Sequence, residues 1–406
     1  MSSAKKAEQN YMLAMIMTVA VFCMGQIPGS IDAAISKISV AFNLSSTAGL
    51  YVSTISCLVS VAFSILLGFV AGKKIGFKPL LLFCATVELI AGVTPFFANN
   101  YAVLLVLRGL FGIGFGGMQS MENTVAAKLI APEKRARILG LGMFFGFGMN
   151  CILQFIGGVL ADLGWNYVFL NHLLLIIPFI IVIIGCMKLD FHVYDEEPVG
   201  ASAQTAEASS GKLGVPVFQM WIMMLCVGCI ISPLLIGCSF LSEAIVESAT
   251  IAGIVAVCFS VGCMIGGLVY PTIYAVLKRA SLPLFLVIVA VGLIGCGFVR
   301  SILPLCIFIF IGGMGFSMTQ STAMMVITMS ASSSKVAFAS ALLMALFNLG
   351  VFFSSTYENI VGMITGDSLY MPLYVGAVIA VIFAVLWMIF SPLDTAKKRM
   401  MDNVHK

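Results

Sequence analysis

The chain has 406 residues, of which 61% are hydrophobic and only 9% charged, with a net charge of +4 and a mean hydropathy of +1.12. A soluble domain carries roughly 25% charged residues, so no aqueous core could bury this much apolar side chain and the surrounding solvent must be lipid. The apolar runs are continuous rather than alternating, which excludes a membrane β-barrel, and no basic cluster suggests a nucleic-acid partner.

After a polar start with Lys5 and Lys6, six apolar spans are predicted at 11–36, 48–71, 79–98, 101–128, 138–160 and 167–188. Each approaches the about 20 helical residues that a bilayer core requires. The stretch Leu189–Leu213 is polar, rich in Gly, Ala, Ser and Thr, and reads as a linker. Six more spans follow at 215–240, 250–275, 282–299, 302–328, 336–362 and 371–391, with a polar tail from Asp394. The expectation is an all-α membrane protein of 12 spans, with an N-terminal bundle (1–188), a cytoplasmic linker (189–213) and a C-terminal bundle (214–406). With both termini in the cytoplasm, 18 of the 21 Lys and Arg residues are cytoplasmic, only Lys37 and Arg300 fall outside, and Arg108 is in the membrane. All 12 cysteines lie within spans, which argues against structural disulfides, and Cys226-x-x-Cys229 reads as packing rather than as a redox or metal motif.

The two sets of spans contain a repeat. Gly112-x-Gly114-Phe115-x-x-x-Gln119-Ser120 in the fourth span recurs as Gly313-x-Gly315-Phe316-x-x-x-Gln320-Ser321 in the tenth, while the counterpart of Arg108 is Ile309. Pro28 in the first span is matched by Pro233 in the seventh, and proline within a span removes a backbone hydrogen bond and kinks the helix.

Gly68-x-x-x-Gly72-Lys73-Lys74-x-Gly76-x-Lys78 after the second span, Arg108-x-x-x-Gly112-x-Gly114-x-Gly116 in the fourth, and Gly164-Trp165-x-x-x-Phe169 before the sixth together resemble the major facilitator superfamily over essentially the whole chain. The chain departs from the superfamily's pattern at Gly72, where the basic loop has an acidic residue. It also departs at Leu153-Gln154, where the antiporter signature has Gly-Pro, and at Asn166, where an arginine is expected. The resemblance implies two pseudo-symmetric six-helix bundles, working as a monomer, that rock about a central cavity lined mainly by spans 1, 4, 7 and 10. Gly68, Gly72, Lys73, Gly76 and Lys78 then form a conformational switch loop.

A charge in the bilayer centre costs about 3 kcal/mol or more, so Arg108 requires a partner or an aqueous cavity. Asp32 and Glu88 stand at comparable depth in their spans and compete as its partner, either as a permanent ion pair or as a proton- or solute-controlled one. Glu122, on the arginine's own helix, reads either as a third proton-coupling group or as a carboxylate near the cytoplasmic interface. Gln119 and Gln320 are expected to face each other across the cavity, in contact with solute or as interhelical glue. Asn348, Asn150 and Gln154 are similar polar candidates, and Phe115 and Phe316 are candidates for an apolar lining. Glu358 is expected to be solvated near an outer end, and His172 to be an interfacial anchor.

The functional expectation is a secondary active transporter in the cytoplasmic membrane that moves a small organic solute, anionic or amphiphilic, with protons as the coupling ion. An efflux antiporter is the alternative, and a non-transporting membrane sensor the rival from another class. No phosphate-binding loop is present, and neither enzymatic activity, a cofactor nor a metal site is expected.

Overall fold

The computed structural model describes residues 3–27, 29–70, 75–191, 214–330, 336–366 and 369–396. Pro28, Gly72, Lys73 and residues 192–213 of the linker predicted over 189–213 lie outside the described residues, and Gly68 falls in the last turn of a helix. The regular structure is helical: α1 (Ser3–Gly25), α2 (Ile35–Ala41), α3 (Ser46–Val70), α4 (Phe77–Val93), α5 (Tyr101–Leu129), α6 (Pro132–Leu163) and α7 (Ile176–Lys188) precede residue 192. After residue 213 come α8 (Val215–Leu235), α9 (Cys238–Glu243), α10 (Ala249–Leu277), α11 (Ser281–Phe298), α12 (Ile302–Ser330), α13 (Val336–Thr365) and α14 (Met371–Phe390).

Local chemistry sets several of these ends. The Asn100 side chain accepts from the Val103 amide at 2.9 Å and starts α5. Pro132 opens α6, where its missing N–H costs nothing. Two predicted spans are not continuous. The span predicted over 11–36 stops being helical at Gly25 and resumes through a 3-10 turn at Asp32–Ala34 into α2. The span over 215–240 stops at Leu235, two residues after Pro233, and resumes at Cys238. The cause at α8 is visible in the backbone, where the amides of Ile236 and Gly237 both turn to Ser232 O. The sixth span begins as an eleven-residue 3-10 segment, Trp165–Leu175, and becomes α-helical only at Ile176.

Among the described residues, ten segments are long and apolar enough to cross a membrane. One of them, Ala249–Phe298, contains both α10 and α11, and Asn10–Gly25 within α1 is a further apolar helical stretch. Large apolar side chains such as Val106, Ile177, Leu303 and Ile364 point outward, as a lipid-facing surface requires. The chain is a multi-pass helical membrane protein.

The apolar cores follow chain order. One gathers residues from Ala14 to Phe191 and another residues from Val217 to Ala396. A third joins the two sequence halves at one end, packing Ile31, Ala34, Ile35 and Ile38 with Ile236, Ala249 and Val351. The duplicated glycines play the same part in each half. A Cβ on Gly112 would collide with Ser56 O of α3, and one on Gly313 with Phe259 O of α10. A Cβ on Gly114 would collide with the Glu88 backbone of α4, and one on Gly315 would stand 2.7 Å from the Val289 amide of α11. The repeat therefore encodes two backbone-to-backbone contacts per half.

Candidate functional site

Arg108 projects from the second turn of α5 and is fully buried. Its Nε donates to Val52 O at 3.0 Å, and its guanidinium carbon lies 4.4 Å from the centre of the Phe111 ring. Asp32, equally buried at the start of the 3-10 turn, accepts from Ser53 Oγ at 2.7 Å. Val52 and Ser53 are neighbours on α3, so the guanidinium and the carboxylate are anchored at one level of the same helix. The expected ion pair between them is not formed. Arg108 Nη1 and Nη2 and Asp32 Oδ2 have no hydrogen-bond partner. The reason is geometric: each group is tied to α3 by its other atoms, leaving a donor face and an acceptor face unfilled. An unpaired buried donor or acceptor costs about 1–3 kcal/mol, and more when charged.

Glu88 does not pair with Arg108 either. It is fully buried on α4, and neither carboxylate oxygen has a hydrogen-bond partner. Glu122 is buried within the protein. Both of its oxygens accept from Gln26 Nε2 at 2.9 Å, and Oε1 occupies the space that a side chain at Gly25 would need. Thus the irregular segment after α1 carries contacts to both an acidic residue of α5 and the Asp32 turn.

The repeat-mate glutamines each contact α13. Gln119 Oε1 accepts from Asn348 Nδ2 at 3.1 Å, and Gln320 Nε2 lies 3.3 Å from Met344 Sδ. Both reach α13, at positions one turn apart. Phe115 is fully buried and stacks on Phe111 at 6.2 Å; Phe316 packs between Phe259 and Phe347 at 6.0 and 5.1 Å. Of the expected switch loop, Gly76 precedes α4 and Lys78 Nζ lies 5.6 Å from the Phe191 ring.

Two expectations are corrected outright. His172 is fully buried, with Nε2 3.0 Å from Ser30 Oγ, Nδ1 3.2 Å from Phe169 O and its ring edge-on to Phe111. The 3-10 segment carries it inward past Gly92, whose missing side chain leaves the room. Its neighbour Asn171 donates to Ser30 O and Leu153 O at 2.6 and 3.1 Å, so this pair clamps the break between α1 and α2. Glu358 is 8% exposed rather than solvated, and its Oε1 has no hydrogen-bond partner. Ser53, Ser30 and Asn171 were not singled out from the sequence. Only Asn171-His172, two polar residues together inside an apolar run, offered a signal.

Hydrogen bonds also join the two sequence halves. Asn150 Nδ2 reaches Ser260 Oγ at 3.3 Å, and Ser260 Oγ donates to Gln154 Oε1 at 3.0 Å. Tyr51 and Thr356, and Thr54 and Ser355, place their hydroxyls 3.3 Å apart. At the end of α6, Asp162 caps the start of α10. It accepts from the amides of Ala249 and Thr250 at 2.9 Å and from the hydroxyls of Ser248 and Thr250 at 3.1 and 2.6 Å, and pairs with Lys37 Nζ at 2.8 Å. A carboxylate at a helix N-terminus satisfies free amides and complements the helix dipole.

The family model of the Major Facilitator Superfamily matches residues 14–241. The chain is similar to the MFS-type transporter tstD of Talaromyces stipitatus, 28% identical over 144 residues, covering 34% of this chain and 24% of that protein. It is similar to vacuolar basic amino acid transporter 2 of Saccharomyces cerevisiae, 25% identical over 146 residues, covering 35% and 30%. It is also similar to the multidrug transporter protein MdtP of Bacillus subtilis, 35% identical over 77 residues, covering 19% and 14%. The chain thus spans less than a third of the length of each of these relatives. A crystal structure of a variant of the nucleoside transporter NupG superposes with a TM-score of 0.68 at 13% identity, covering 95% of this chain and 99% of that one. At that identity what is shared is the fold.

Proposed function

The chain belongs to the major facilitator superfamily, and from that premise we propose that it is a secondary active transporter of a small organic solute with an anionic or strongly polar end. Arg108 receives that end, with Phe115 beside it and Gln119, Gln320, Asn348 and Phe316 completing the path. The single observation that carries this reading is the buried guanidinium with two unpartnered nitrogens beside a carboxylate with an unpartnered oxygen. Charge held so deep without mutual pairing is a receptor waiting for a counter-charge, not a finished structural bridge.

The twelve spans form two bundles, 1–188 and 214–406, joined by the 189–213 linker in the cytoplasm. Both termini are cytoplasmic, the protein sits in the cytoplasmic membrane, and it works as a monomer. Transport proceeds by alternating access, with the two bundles rocking about the seam between α3 and α13 and between α6 and α10. Asp162, the Tyr51–Thr356 pair and the Thr54–Ser355 pair would have to separate in that step. Protons are the coupling ion, and Asp32, Glu88 and Glu122 are the groups that take them up. The prolines of the first and seventh spans, Pro28 and Pro233, supply their flexible points.

The test is solute uptake by the purified protein in liposomes under an imposed pH gradient, using a panel of organic anions and amphiphiles. We expect Arg108→Ala to abolish uptake of the solute that the wild type moves. Uptake unchanged in rate and in pH dependence would make the arginine structural. The similarity to MdtP favours a second reading, proton-driven efflux. Protection of a pump-deficient host against lipophilic compounds separates it from uptake.

A further inference from the structure

Another buried acid lies in the C-terminal half. Glu358 is 8% exposed, Oε1 has no hydrogen-bond partner, and no Lys or Arg pairs with it among the described residues. It lines a cavity of about 20 Å³ together with Ser46, Pro233 and Gly237. A volume of roughly 10–15 Å³ is enough for one water-sized occupant. Two of the other lining residues offer oxygens, and Phe240, Leu241 and Leu369 close the rest of the cavity with apolar side chains. Gly237 donates its amide to Ser232 O at 3.0 Å instead of to Pro233 O, so the Pro233 carbonyl has lost its ordinary helical donor. Ser46, the first residue of α3, contributes a hydroxyl.

We propose that this cavity is a binding site for a single sodium ion, held by the Glu358 carboxylate, the Pro233 carbonyl and the Ser46 hydroxyl. An interrupted helix that leaves the carbonyl of a cavity-lining residue without its donor, beside one carboxylate, has the chemistry of an alkali-cation site. One carboxylate matches one positive charge, and the hard oxygen set suits Na⁺. No group of three or more His, Cys, Asp or Glu side chains gathers among the described residues, which leaves a multivalent or transition-metal ion without its ligands. Ser46 belongs to the N-terminal half and Pro233 and Glu358 to the C-terminal half. The ion therefore bridges the seam, two residues beyond the hydroxyl contact at Thr356, and holds that end of the bundle closed.

The experiment measures binding and so does not depend on the solute transport proposed above. Thermal unfolding of the full-length protein in detergent is followed while choline chloride is replaced by NaCl or KCl at constant ionic strength. The expected result is a saturable rise in midpoint with Na⁺, and a smaller one or none with K⁺. Glu358→Gln removes the rise, and Ser46→Ala, a change at an exposed first-turn position, shifts the half-saturating Na⁺ concentration upward severalfold. Retention of ²²Na⁺ by the wild type and by Ser46→Ala gives the same comparison if Glu358→Gln does not fold. Equal midpoints in Na⁺, K⁺ and choline, or a Na⁺ response unchanged in both variants, overturns the proposal.

Discussion

The two halves of this molecule share a packing scheme and differ in what they place at its centre. Shifting positions along the repeat from Gly112 to Gly313 carries Arg108 onto Ile309 and Glu122 onto Ala323. The glycine contacts carry Glu88 of α4 onto Val289 of α11. Three buried ionisable groups in the first half thus correspond to three buried aliphatic residues in the second. The glycines are kept because two backbones touch there, a requirement set by geometry alone. Charge is not required by that geometry, so its presence in one half alone reports a task which that half performs. The isolated acid of the other half, Glu358, sits at the seam rather than at the centre.

The largest effect that sharpens this contrast is expected from the charged centre. Arg108→Ala should lower solute transport by at least about thirtyfold, since removing one member of a buried charged constellation costs about 2–5 kcal/mol. Ile309→Val should change it little. Asp32→Asn should flatten the pH dependence of transport in liposomes while leaving the fold intact, because the amide keeps the contact with Ser53 and cannot take up a proton. A variant that still responds to pH as the wild type does would move the coupling role to Glu88 or Glu122.

The shared packing makes the next prediction symmetric. Gly112→Ala and Gly313→Ala should each destabilise by about 1–3 kcal/mol, because either methyl group strikes a backbone carbonyl. Thermal unfolding of the two variants checks it, and a large loss in one with none in the other breaks the equivalence. At the seam, Asp162→Asn should speed hydrogen exchange in the first turn of α10 by roughly fivefold, a loosening of about 1 kcal/mol for a partly solvated cap. The smallest effect is expected from Asn348→Ala, about 0.5–1 kcal/mol in unfolding midpoint, because it loses one neutral hydrogen bond to Gln119.

Much of the helix layout was legible because its causes are local. Asn100 caps α5 where the apolar run begins, and Pro132 opens α6 just ahead of the charged Glu133-Lys134-Arg135. The breaks after Gly25 and Leu235 were less so. Proline announces a kink, but whether the chain merely bends or leaves the helix depends on where the neighbouring amides find an acceptor, after Leu235 at Ser232 O. Arg108 stood out because a charge in an apolar run is rare. Its anchors did not, since Val52 contributes only a carbonyl, and a serine such as Ser53 is common in these spans. Similar depth made Asp32 and Arg108 look like a pair, but depth says nothing about which side chain α3 claims first. His172 was misread because Trp165 and Tyr167 nearby suggest an interface, whereas the 3-10 geometry of the segment turns the ring inward.

The contrast between the halves is tested most directly by equilibrium binding of the transported solute to the purified protein, with Arg108→Ala and Ile309→Ala measured side by side. The account predicts that binding is lost in Arg108→Ala and retained within a few-fold in Ile309→Ala. Equal losses in both, or unchanged affinity in Arg108→Ala, would contradict it.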